Sequence, residues 1–289
     1  MKVSGVTIIR NAVKFDYPIV EAITSILPLC DEFVVALGDS DDNTEQLIKS
    51  IASDKIRIVP TIWDTSIRES GNVLAVETNK ALDAVSSDTD WCFYLQADEC
   101  VHEEYLPAIR SAMEEHLHND RVEGLVFRYL HFYGSYDFTA DSRSWYRTEV
   151  RIVRNDKHIR SHGDAQGFRK DGRYLQVKPV DAFIYHYGWV KHPKQQQAKA
   201  LEFNKYWHDD KWIEDNVGKG DEFDYSIIDS LQPFSGSHPQ VMQSRIRSLN
   251  WKLTLDPRKK NFTLWRRFLF WLEKVTGWRP FEYKRYTIV

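Results

Sequence analysis

Over the first hundred residues, short apolar runs alternate with segments of helical spacing. Residues 6–9 (Val-Thr-Ile-Ile) are apolar and β-branched and predict a buried strand. Pro18 leads a segment to residue 27 with Ile19, Ala22, Ile23 and Ile26 on one helix face, a setting that suits proline in the first turn. Residues 33–37 predict a second strand. It closes in the polar loop 38–44, which feeds a helix over 45–51. Residues 56–59 predict a third strand and residues 73–85 a helix. Residues 91–95 predict a fourth strand, which runs into Gln96-Ala97-Asp98-Glu99.

The second half is mixed. Residues 124–129 and 149–154 alternate as strands do, and 193–207 and 240–253 read as helices. Residues 209–239, rich in Asp, Gly and Ser, read as loop. Strand–helix alternation implies a mainly parallel sheet, because parallel neighbours need crossover connections. Ligands of such open sheets bind beyond the carboxyl ends of the strands. Arg10-Asn11, Asp39-Ser40-Asp41-Asp42 and Gln96-Ala97-Asp98-Glu99 all lie at such ends and should converge on one site.

Composition narrows the class. At 289 residues, 42% hydrophobic and 28% charged, the chain suits one large α/β domain with an appended part, and not a disordered one. Three cysteines without CxxC spacing argue against a disulfide scaffold and a zinc ribbon, and predict a reducing, cytoplasmic setting. No apolar stretch approaches the roughly 20 residues of a membrane span, and no signal-peptide core precedes the first strand, so a soluble protein is expected. Residues 245–289 hold twelve Lys/Arg against three acidic residues. That leaves +9 there and −12 on the rest of a chain of net charge −3. A basic tail on an acidic body predicts a polyanionic neighbour for the tail.

Asp98 ends a buried strand, where a carboxylate can hold a divalent cation whose remaining ligands are substrate phosphates; a loop-capping aspartate reads equally well from spacing alone. Residues 78–84 followed by Asp90-Trp91-Cys92-Phe93-Tyr94-Leu95-Gln96-Ala97-Asp98-Glu99 resemble the family 2 glycosyltransferases, in particular the branch that builds lipopolysaccharide core and similar surface glycans. Residues 33–44 resemble that family's second strand and its aspartate-rich loop. By that resemblance Asp98 falls on the metal-binding aspartate of the DxD motif, and Asp39 on the carboxylate that contacts base or ribose. Asp41 and Arg68 become further nucleotide candidates, joined by Arg10 and Asn11 at the first strand end. Gln96 stands where the first aspartate of DxD usually is, so it adds no charge to the site. The absence of a QxxRW motif speaks against a processive synthase.

Tyr185-His186-Tyr187-Gly188-Trp189 follows an apolar run, and by the same resemblance His186 returns to the metal; a core histidine bonded to backbone is the plainer reading. Lys191 is a candidate phosphate contact. An inverting transfer needs a carboxylate to take the acceptor's proton. Asp164, in a loop with two glycines, is the first choice and Glu149 the second, each open to a salt bridge with a nearby arginine instead. His158, His162, His186 and His192 have zinc-like spacings, but no cysteine joins them.

In the tail, residues 258–272 combine a basic cluster with helix-spaced Trp265, Phe268, Leu269 and Leu272, which suits either an anionic membrane surface or packing on the body. The expected fold is a GT-A-like three-layer α/β sandwich with a mainly parallel central sheet over residues 1–195 and a helical, basic extension over 196–289. The expected activity is transfer of a sugar from a UDP- or GDP-linked donor to a glycan or glycolipid hydroxyl. It would use Mg²⁺ or Mn²⁺ and invert the anomeric centre, with peripheral membrane contact through 257–289 and no nucleic-acid partner. A nucleotidyltransferase would want a Gly-rich phosphate loop after the first strand, which residues 9–14 lack. A dinucleotide-dependent oxidoreductase lacks its GxGxxG. A non-catalytic carbohydrate-binding protein would ignore nucleotides and metal.

Overall fold

The computed structural model describes residues 1–217 and 220–289. The first half alternates as expected: β1 (Val3–Ile9), α1 (Ile19–Ile26), β2 (Glu32–Leu37), α2 (Thr44–Lys49), β3 (Ile56–Pro60), α3 (Asn72–Asp83) and β4 (Trp91–Tyr94). Then come β5 (Glu99–Val101), α4 (Leu106–Glu115), β6 (Gly124–Tyr133), β7 (Phe138–Ala140), β8 (Thr148–Arg154), β9 (Ile159–His162), β10 (Gly167–Lys170) and β11 (Arg173–Trp189). The last part holds α5 (Pro193–Asn204), α6 (Asp210–Asn216), β12 (Leu231–Pro233), α7 (Gln243–Arg247), α8 (Leu264–Thr276) and β13 (Tyr286–Ile288).

The sheet runs β3-β2-β1-β4-β8-β6-β11-β10-β9. Its first four strands are parallel; β8 enters antiparallel between β4 and β6, and β6 and β11 are again parallel. Alternate side chains of each strand feed two cores. Phe33, Val35 and Phe93 meet α1 and α4 on one face, whereas Val34, Ala36 and Tyr94 meet α3 on the other. The result is the GT-A-like three-layer α/β architecture, with a curled central sheet. The C-terminal residues come back to it, for β13 pairs parallel with β11 through Leu175 and Tyr286.

Two expectations are corrected. The predicted helix over 240–253 is cut to a 3-10 turn, Gln240–Met242, and α7. Leu249 and Trp251 leave to pack on the aromatic cluster around Phe132 and Tyr187, and Leu253 and Leu255 on the one around Tyr133 and Tyr225. The loop predicted over 209–239 contains α6 and β12 among its described residues; positions 218–219 of that stretch lie outside them. Asp209 is no loop residue but a helix cap, its side chain accepting from Trp212 N at 2.8 Å.

A fully buried ion pair fixes the turn after β4. Arg151 on β8 donates from Nε and Nη2 to the two Glu99 oxygens at 2.9 and 2.8 Å, both side chains having no exposure. Tyr129 donates its hydroxyl to Glu99 Oε1 at 2.8 Å, and Gln96 N donates to Oε2 at 3.0 Å. Removing one member strands a buried charge, so Glu99→Ala is expected to lower stability by roughly 3–5 kcal/mol in urea denaturation.

Candidate functional site

A cavity of about 410 Å³ opens at the carboxyl ends of β1 and β4, walled by Ser144, Trp145 and Tyr146 on one side and α5 on the other. The β5–β11 pairing sets its floor: His186 lies opposite Glu99, and Tyr187 N donates to Asp98 O at 2.7 Å. Asp98 and His186 are thereby brought together, with Asp98 Oδ1 3.7 Å from His186 Nε2. A Cβ on Gly188 would stand 2.6 Å from both Asp98 Oδ2 and His186 Nε2, so the missing side chain keeps a gap open beside them. Lys199 from α5 reaches in, its Nζ 3.1 Å from Asp98 Oδ2 and 3.1 Å from Gly188 O. Burial alone would raise the Asp98 carboxyl, but the Lys199 charge and hydrogen bond, with Lys191 behind it, hold it well below the usual range, so it is ionised.

The protons around His186 follow from one acceptor that cannot donate. The Tyr146 carbonyl lies 2.7 Å from His131 Nε2, so that nitrogen carries the hydrogen. His131 is 3% exposed among the rings of Tyr129, Trp145 and Tyr146, and burial pushes it well below the usual imidazole range. Neutral His131 therefore offers a bare Nδ1, which accepts from His186 Nδ1 at 3.0 Å. Burial lowers the His186 imidazole as well, against the pull of Asp98. A neutral His186 with its hydrogen on Nδ1 then turns an Nε2 lone pair toward an anionic oxygen. Two such atoms repel unless a positive charge lies between or beside them.

That donor set fits a divalent cation. One carboxylate and one imidazole lone pair converge at a separation within the roughly 3–4 Å spanned by two donors on one metal shell. Among the described residues no three His, Cys, Asp or Glu side chains gather to hold a metal by themselves, so substrate oxygens would complete the shell. The other three zinc-spaced histidines are elsewhere: His158 pairs with Asp171 at 2.9 Å, His192 caps α5, and His162 is exposed on β9.

Of the residues singled out in the sequence, Arg10, Asn11, Gln96, Asp98, Asp164 and His186 line the cavity. Asn11, at φ 56°, clamps two strand-end loops by accepting from Asp41 N at 2.8 Å while its own N–H donates to Ser40 at 3.0 Å. Asp164 accepts from Arg285 Nη1 at 2.7 Å. Five others are not among the described lining residues. Asp39 accepts from Arg10 through its carbonyl at 3.1 Å, and Asp41 pairs with Lys14 at 2.7 Å. Arg68 ties the α5–α6 junction through His208 O at 2.9 Å and Asp210 at 2.7 Å. Lys191 is fully buried, donates to Asp16 O at 2.5 Å over the Tyr17 ring, and is pushed down to about 7 by burial and by Lys199. Glu149 is 5% exposed, and burial pushes it up to about 7. Glu99, the second acid of the strand end, turns away from the cavity to Arg151.

Sequence reasoning missed Lys199, Gln196, Trp63 and His131. A signal existed for the first two: Gln196, Lys199, Ala200 and Phe203 recur at helical spacing, and that face of α5 lines the cavity. Arg10 Nη1, Trp63 Nε1 and Gln196 Oε1 are buried at this wall without a hydrogen-bond partner. Buried polar atoms are rarely left unpaired, which points to a polar ligand.

Two measurements check this geometry. Nitrogen-15 spectra of imidazole-labelled protein should show His186 hydrogenated at Nδ1 and His131 at Nε2, and His131→Phe should abolish the His186 preference. Glu149 keeps its proton in the fold while the unfolded chain releases it from pH 4.5 upward, so its contribution to stability falls between pH 4.5 and about 7 and then levels. Glu149→Gln removes that loss, and its stability relative to the wild type should rise by about 3 kcal/mol from pH 4.5 to 7.5 in urea titrations.

No protein-family model matches the chain, and no curated protein matches it. Solved structures do. S. aureus TarS superposes with a TM-score of 0.40 at 15% identity, over 70% of this chain and 39% of that one. Glucosyl-3-phosphoglycerate synthase from Mycobacterium tuberculosis, solved with Mn²⁺, UDP and phosphoglyceric acid, gives 0.32 at 21% identity, over 44% of this chain and 43% of that one. The 4-diphosphocytidyl-2C-methyl-D-erythritol synthase from Anaerococcus prevotii gives 0.36 at 10% identity, over 53% of this chain and 71% of that one. The chain thus covers less than half the length of the first two.

Proposed function

We propose that this chain is a glycosyltransferase that moves a sugar, with inversion, from a UDP- or GDP-linked donor to a hydroxyl of a glycan or glycolipid in surface-glycan synthesis. The observation that supports it is the floor of the cavity, where the Asp98 carboxylate and the His186 lone pair face one another beside the gap that Gly188 leaves. Asp98 and His186 would hold Mg²⁺ or Mn²⁺, which when bound offsets the charge on a departing nucleoside diphosphate.

The chain's own groups do the rest. Arg10 turns its unpaired Nη1 to an anionic or carbonyl oxygen of the nucleotide, and Asp39 positions Arg10 from behind. Asn11 and Gln96 offer amides to base or ribose. The Asp41–Lys14 pair and Arg68 act on the site through the loops they hold, and Lys191 lends its charge to Asp98 from behind. Trp145, Trp189 and Trp207 give flat apolar faces on which sugar rings stack. Asp164 accepts the proton of the attacking hydroxyl, and Arg285 orients it. Glu149, buried one layer back, is the reserve base. The acceptor would be met at the cytoplasmic, inner face of a membrane, with residues 257–289 toward it.

The Lys199 ammonium on Asp98 supports a second reading, a transfer without a metal in which that ammonium neutralises the leaving diphosphate.

Calorimetry with UDP, GDP and CMP, each with Mn²⁺ or with EDTA, tests both. One nucleoside diphosphate should bind about tenfold or more tightly with Mn²⁺ than with EDTA, and Asp98→Ala should erase that difference. Gly188→Ala, which fills the gap, should do the same while keeping the wild-type circular dichroism spectrum. Equal binding in EDTA that is lost in Lys199→Ala selects the metal-free reading, and no nucleotide binding at all overturns both.

A further inference from the structure

We propose that α8 and the segment after it form a docking surface for an anionic lipid bilayer. The helix sits on the body the wrong way round for a water-soluble chain. Leu264, Phe268, Trp271 and Val275 recur four, three and four residues apart, so they form one stripe, and they are 86%, 48%, 56% and 63% exposed. Trp265 flanks the stripe at 60% exposure, and Trp278 and Phe281 carry it past the helix end at 63% and 86%.

The opposite side is the anchored one. Leu269 is the buried residue of the helix, and Glu273 pairs there with Arg143 at 3.0 Å, Arg147 at 3.4 Å and Arg279 at 3.6 Å. The ion-paired side therefore faces protein and the apolar side faces solvent. An apolar stripe of this length, rich in tryptophan, marks a contact with a partner or a membrane.

Charge selects the occupant. Arg267 is exposed beside the stripe and Arg266 is exposed across the helix from it; neither makes an ion pair among the described residues. Lys259 is a further exposed cation in the preceding segment, whereas Arg258 and Lys284 pair with Asp256 and Glu282. The local acids Glu273 and Glu282 are already taken by arginines. Self-association through the stripe would press two cationic edges together, whereas anionic headgroups neutralise them while the tryptophans settle at the interface. The 13-residue helix lies on such a surface and cannot cross it, since no helix is long and apolar enough among the described residues.

The surface also adjoins the cavity. Arg279 Nη2 donates to Trp145 O at 2.8 Å, and Arg143 donates to Pro280 O, so the segment 143–146 that walls the cavity is tied to the anchored side of α8. On the glycosyltransferase reading, this location suits an acceptor carried by lipid; the docking itself does not depend on that reading.

Flotation of the full-length chain with phosphatidylcholine vesicles, with and without a quarter of phosphatidylglycerol, tests the proposal. The wild type should float with the anionic vesicles at least about tenfold more than with neutral ones, and lose that preference in high salt. The triple variant Phe268→Ser, Trp271→Ser, Val275→Ser changes only exposed side chains; it should keep its melting temperature and its nucleotide binding while losing flotation. Arg266→Glu with Arg267→Glu should remove the preference for anionic vesicles. Flotation of the triple variant equal to the wild type overturns the proposal. So does a wild type that stays unbound and sediments as a dimer that the triple variant dissolves, which would assign the stripe to a second copy. Vesicle binding without nucleotide binding would leave the docking standing and sink the enzymatic reading instead.

Discussion

The Glu99–Arg151 pair is the constraint on which the site is built. Both charges lie wholly inside the protein, and such a pair holds only if its geometry is good and its remaining oxygens are satisfied. Here a tyrosine hydroxyl and the Gln96 N–H complete it. Because Gln96 N is one of the donors, the pair also fixes the conformation of residues 96–99, with residue 98 turned to the cavity and residue 99 away from it. Arg151 further donates to Gln166 O at 3.2 Å, so the loop carrying Asp164 leans on the same guanidinium. Two cavity carboxylates that are remote in sequence thus take their places from one buried cation.

With Asp98 so held, its surroundings decide what it can do. An ionised carboxylate, a neutral imidazole lone pair and an ammonium meet within a few bond lengths, beneath a wall of indole and phenol rings. The carboxylate and the lone pair call for positive charge, and Lys199 supplies one unit of it. Arg10, Trp63 and Gln196 each leave one polar atom unmatched at the same wall. The arrangement is incomplete as a piece of packing, with donors and an acceptor left for a polar guest to meet.

The first four strands and their helices were legible because apolar runs and helical spacing are local properties, and Asp98 came with them as the end of β4. The partnership of His131 and His186 was not legible, since it depends on the register of β6 against β11, and the two positions are 55 residues apart. Lys199 sat in a helix that the spacing did predict, but which face of α5 looks onto the cavity is settled by tertiary packing. Asp98 and Glu99, adjacent acids after one strand, look alike in sequence, and only the fold shows that Glu99 turns away from the cavity to Arg151. The helix expected over 240–253 failed for a reason visible in hindsight: Leu249, Trp251, Leu253 and Leu255 fall at every second position, a period that suits an extended segment crossing from one aromatic cluster to the next.

One short loop carries more than its length suggests. The Trp145 carbonyl is held by Arg279, beside the outward-facing helix, and the next carbonyl, that of Tyr146, holds the imidazole that sets the hydrogen on its neighbour. Both carbonyls flank a single α-carbon. One residue, Tyr146, is thus tied on its amino side to the outer surface and on its carboxyl side to the floor of the cavity.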